Sequence, residues 1–104
     1  MEKEKIELII PTLTKSEFYE MQEHERKLLI LAAAAGRLRG RNDIISAITV
    51  SRLMLLLTEF KEAGIDTPEA HIKTTGKMVQ VLEDTFDLII HFKDDIKNLE
   101  ICLN

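Results

Sequence analysis

Three arginines at alternate positions, Arg37, Arg39 and Arg41, stand among Gly36 and Gly40 in the stretch AAAAGRLRGRND, residues 32–43. The chemistry open to such a set is anion binding. Guanidinium forks hold phosphate bidentately, and a helix beginning at Asn42 or Asp43 would aim free amides at the same place. The two glycines would let the backbone approach a ligand closely. The competing use is mechanical: arginines in the last turn of a helix oppose its negative C-terminal dipole and keep a tight turn solvated. The stretch has no GxxxxGK[ST] loop and no neighbouring aromatic on which a base can stack, and Asp43 puts a carboxylate where a phosphate would sit. These arginines are the anion or nucleic-acid candidates, and they rank behind a structural turn.

Other chemistry is weaker still. A helix-turn-helix reader needs polar and basic residues at the start of its second helix, where this chain has NDIISAITV. Asp84, Asp87, His91 and Asp95, with Glu20 and His24, supply metal-ligand types, but helical periodicity places them on solvent faces rather than facing inward. No metal or other cofactor is expected. Cys102 has no histidine near it in sequence, and His71 beside Glu69 reads as a solvated pair in a first helical turn. No residue set argues for an enzyme.

The elements that must position these residues read as helices. Thr14 and Glu17 form a capping box, with Leu13 and Phe18 at the staple positions, so a helix starts there and runs to residue 39, with Gly40 available for a left-handed cap. Asn42 or Asp43 starts a second helix, whose twenty or so apolar-rich residues exceed an ordinary strand and end at Gly64. Thr67, Pro68 and Glu69 start a third. Thr74, Thr75 and Gly76 are its weak point, where it can kink or break.

Ahead of these helices, KIELII (residues 5–10) alternates Ile6, Leu8 and Ile10 with Glu7 and Ile9, and Pro11 ends it. A strand there has no evident second strand in its own chain. It would pair with a partner's edge or another copy, or lie extended in a groove between helices. The expected architecture is therefore all-α: an antiparallel bundle of three helices (14–39, 42–63 and 67–102), or four if the third breaks near Gly76, with an extended N-terminal arm over 1–11.

Such a bundle has too much apolar surface. From Lys77 onward the polar residues occupy about a third of the helical circle at roughly 100° per residue, and the second helix is apolar on both sides. Ile44, Ile48, Leu55, Leu88 and Phe92 are the surplus, and they are the interface candidates. The four alanines 32–35 suit close approach of another helix.

Length and composition set the outer bounds. With 104 residues, 45% of them apolar, the chain is one domain with a single modest core. Its net charge of −4 repels a polyanion, so any nucleic-acid contact must be local. One cysteine allows no intrachain disulfide and suits a reducing cytoplasm. The N-terminus MEKEKIELII fits no secretory or transit signal, and the apolar run 28–35 is too short to span a bilayer. The expected function is a non-enzymatic interaction or adaptor module in the cytoplasm, joined to itself or to another protein and not to a membrane. Nucleic-acid or phosphate binding at the arginines is the alternative.

Overall fold

The computed structural model describes residues 2–98. Its elements are β1 (Glu4–Ile10), α1 (Lys15–Glu20), α2 (Glu23–Arg39), α3 (Ile44–Ala63), α4 (Pro68–Thr85), β2 (Phe86–Phe92) and a 3-10 segment (Lys93–Asn98). Four helices accompany a two-stranded parallel sheet, so the fold is mixed α and β and not the all-α bundle that periodicity suggests.

Residues 86–92 make the difference. FDLIIHF was expected inside a helix reaching residue 102, but it leaves the helix at Phe86, whose φ of −128° and ψ of 154° are extended. Phe86, Leu88, Ile90 and Phe92 then alternate with Asp87, Ile89 and His91, the period of a strand with one buried face. β1 finds its partner here, in its own chain, and needs no other strand to pair on this side. Ile6 aligns with Leu88, Leu8 with Ile90, and Ile10 with Phe92. Cys102 and the expected last residues of the third helix, 99–102, lie outside the described residues.

The first expected helix is also divided. Thr14 and Glu17 make the capping box as their spacing predicts, but α1 stops at Glu20 and Met21 turns extended (φ −71°, ψ 160°). Arg26 donates to the Met21 carbonyl, which fastens the break. α2 follows and ends at Gly40, whose φ of −83° is right-handed, so the left-handed cap expected there is absent. That conformation occurs instead at Gly64, φ 68°, after α3. Thr67 caps α4 with Pro68 in the first turn, and the helix runs unbroken through Thr74, Thr75 and Gly76.

The layers follow from which faces are apolar. α2 packs on β1, α4 packs on β2, and both helices pack against one another over the inner face of the sheet. Ile6, Leu8, Ala34, Leu38, Val81, Leu82 and Phe86 fill that space. α3 lies outermost, against α4 and α2, and contributes Leu53 to the same core. A second cluster closes one end of the sheet, where Phe18 of α1 meets Phe92 at 5.1 Å between ring centres and both enclose Ile10. The Lys93 amide donates to the Leu13 carbonyl at 2.8 Å, and Asp95 accepts from the Phe92 amide at 2.9 Å, so both strand ends are tied down there. Among the described residues no helix is long and apolar enough to cross a membrane.

Candidate functional site

The three arginines do not act as one set: Arg37 and Arg41 border one cleft, and Arg39 stands apart from it. Arg41 turns back on its own chain: its guanidinium reaches the Glu4 carboxylate at the start of β1 and donates from Nε to Asp43 at 3.0 Å. Asp43 in turn accepts from the Ser46 amide at 3.1 Å and from the Ser46 hydroxyl at 2.9 Å, which caps α3. The Arg41 hydrogen bond, followed by the Ser46 amide, holds the Asp43 carboxyl below its usual range. Arg41 is shifted the other way, upward, by Glu4 first and Asp43 second. This is a clasp joining the first strand to the α2–α3 turn, and its cation is already neutralised.

Arg37 takes a different course. It lies exposed on α2 and, together with Arg41, lines a cleft of about 390 Å³ whose other walls are Lys5, Ile6, Glu7, Gly36, Gly40 and Ile89. Neither Arg37 nor Lys5 makes an ion pair among the described residues. Arg39 is exposed and does not line the cleft. The cleft is reached by residues from β1, β2, α2 and the turn after α2, and periodicity within single helices cannot foresee that meeting. Lys5 and Glu7 belong to it because the strand turns its odd-numbered side chains away from the core.

The acidic set disperses. Asp87 and His91 are on β2, Asp84 accepts from Gln80 at 2.8 Å, and Asp95 caps the Phe92 amide. His91 lies on the outward face of the sheet with Nε2 at 3.2 Å from Glu7. His24 carries a buried Nδ1 with no hydrogen-bond partner, and Glu20 does not bring it one. Among the described residues no three His, Cys, Asp or Glu side chains gather as a metal would require.

The interface candidates divide by element. Ile44, Ile48 and Leu55 are 77%, 54% and 59% exposed along one side of α3, with Met54 at 62% on its flank. Leu88 is half-buried on the inner face of β2, and Phe92 is buried against Phe18. Those two are core residues of the sheet, and only the α3 candidates form a surface. What the sequence leaves hidden is α3's mixed inner side: Ser46 and Thr49, both 1% exposed, lie there beside Leu53, Val50 and Leu56. Thr49 satisfies its hydroxyl by donating to the Ile45 carbonyl at 2.7 Å. The signal was present in IISAIT as apolar residues on every side, which fixes no inward face.

The chain matches no protein-family model, no curated protein and no solved structure.

Proposed function

We propose that this chain is a non-enzymatic assembly module that docks a helix of matching apolar stripe, from another copy or from another protein, on the outer side of α3. One observation carries the reading: α3 turns Ile44, Ile48, Met54 and Leu55 to solvent while it buries Ser46 and Thr49. A helix folded only for its own core, which here takes Leu53, Val50 and Leu56, would not keep four further large apolar side chains in water. Ile44, Ile48, Ser51, Leu55 and Thr58 follow one another at alternating spacings of four and three, the seam along which a second helix packs. Ser51 is small enough to let that helix come close, and Ala47, Ile48, Arg52 and Leu55 border a shallow groove beside it. Its single cysteine suits action in a reducing cytoplasm.

The test compares the wild type with an Ile48→Glu/Leu55→Glu variant by light scattering and by binding of an apolar-patch dye. If α3 pairs with another copy, the variant loses mass. If it awaits another protein, mass is unchanged and the wild type binds dye that the variant does not. A variant identical to the wild type in both measurements overturns the reading.

Phosphate or nucleic-acid binding stands second, supported by Lys5 and Arg37 sharing one cleft. It predicts salt-sensitive binding of RNA or DNA that is lost in Lys5→Ala/Arg37→Ala. Absence of binding at low salt removes it.

A further inference from the structure

The sheet is unfinished on the β1 side. β1 pairs with β2 along one edge, and among the described residues its other edge has no strand beside it. Two parallel strands with an open edge are unusual, because parallel sheets are ordinarily wider and covered, and a free edge presents backbone donors and acceptors ready to pair.

The space beside that edge is open. A side chain at Gly36 would meet nothing within 4 Å, and at Gly40 the nearest atom would be the Arg37 carbonyl at 3.9 Å. The cleft between these glycines and Lys5, Ile6 and Glu7, bordered also by the side chains of Arg37, Arg41 and Ile89, leaves room beside the β1 backbone.

The strand's own charges name the occupant. Two β1 strands laid antiparallel and centred on Ile6 place Lys5 of each copy opposite Glu7 of the other, on the outward face. Ile6 then meets Ile6 on the inner face, in line with the core. Centring on Lys5 would oppose lysine to lysine, and centring on Glu7 would oppose glutamate to glutamate. Like charges directly opposite one another are unfavourable, whereas opposite charges support the pair. Glu4 falls opposite Leu8 of the other copy with its charge already taken up by Arg41.

We propose that β1 is a homodimerisation edge: a second copy adds its β1 antiparallel, in the register centred on Ile6, to give a four-stranded sheet in the order β2-β1-β1-β2. The two-fold axis is perpendicular to the sheet, so both α2 helices lie on the same side of it, with the bare flanks at Gly36 and Gly40 toward each other. The contact is isologous and closes at two copies. It is independent of α3 and leaves that face free.

Sedimentation equilibrium tests the register through charge. Lys5→Glu and Glu7→Lys, each alone, oppose like charges in both symmetric pairs and raise the dimer dissociation constant at least about tenfold. An equimolar mixture of the two single variants restores the dimer, since each glutamate then faces a lysine, and the double variant Lys5→Glu/Glu7→Lys restores it within one chain. All are made also in the Ile48→Glu/Leu55→Glu background, where α3 cannot hold copies together. Circular dichroism checks that each chain is folded. A monomeric chain in that background, or single variants that dimerise as the parent does, or a mixture no more dimeric than its components, overturns the proposal and leaves the α3 reading untouched.

Discussion

Leu8 of β1 stands in register with Ile90 of β2, and its side chain is entirely buried beneath α2 and α4. The contact joins the two strands that flank the four described helices, so it holds those helices in one cooperative unit. Leu8→Ala should cost about 2–5 kcal/mol, from lost burial plus the cavity left behind. That is a large part of the roughly 5–15 kcal/mol available to a domain of this size. Urea unfolding followed by circular dichroism measures it, and a midpoint close to that of the wild type would mean that β1 does not belong to the core.

Three of the four helix starts were legible because caps are local, and the fourth, at Glu23, was not, because Gln22 makes no side-chain cap. Thr14 with Glu17, Asp43 before Ile44, and Thr67 before Pro68 each depend on residues within one turn of the chain. β2 was not, because Thr85 and Phe86 contain no glycine or proline to mark the change from helix to strand, and the seven residues FDLIIHF fit an apolar helix face nearly as well as a strand. What separates the two is partnership: KIELII needs a neighbour, and part of the apolar surplus expected at an interface, Leu88 and Phe92, is the buried side of that neighbour. The clasp at Arg41 was half legible. Asp43 is two residues away, but Glu4 comes near only once β1 is laid against α2. Lys5 and Glu7 joined Arg37 in the cleft for the same reason, which no single-segment pattern contains.

Asp43 should give the protein a specific acid sensitivity. Its carboxyl is held below the usual range, by Arg41 chiefly and by Ser46. A depressed folded-state pKa contributes stability that is fully present above the unfolded-state value and is lost as pH falls through the folded one. Asp43→Asn keeps a side chain able to cap α3 but removes the charge. The wild type should exceed this variant by a constant margin above about pH 5, with the margin shrinking steadily below about pH 4. Urea midpoints across that range decide it, and a margin that grows on acidification would contradict the assignment.

Gly64 and Gly76 should respond to alanine in opposite directions. Gly64 ends α3 with φ 68°, where an added Cβ crowds the carbonyl, so Gly64→Ala should cost about 1–2 kcal/mol. Gly76 is an ordinary residue of α4, and its added Cβ would meet only the Lys27 Nζ at 3.8 Å, a normal contact. Gly76→Ala should therefore stabilise by about 0.4–1 kcal/mol, because it restricts the unfolded chain and strains nothing. Thermal melts of the two variants should move to either side of the wild type. Equal shifts of one sign would place one of the glycines wrongly.

Leu53 and Leu55 separate folding from docking on a single helix. Leu53 faces inward at 8% exposed and packs with Val81 and Leu82, while Leu55 lies 59% exposed on the opposite side of α3. Leu53→Ala should lower stability by about 2–5 kcal/mol, whereas Leu55→Ala should change it by no more than about 0.5 kcal/mol in the isolated chain. The two variants should exchange places in an assembly measurement. At concentrations where both are folded, Leu55→Ala weakens whatever contact covers α3, and Leu53→Ala weakens it only through loss of folded protein. Chemical unfolding at low protein concentration, read beside light scattering at high concentration, distinguishes the two effects. If Leu55→Ala were as destabilising as Leu53→Ala in dilute solution, its side chain would be covered by the chain itself, and the outer side of α3 would not be a surface at all.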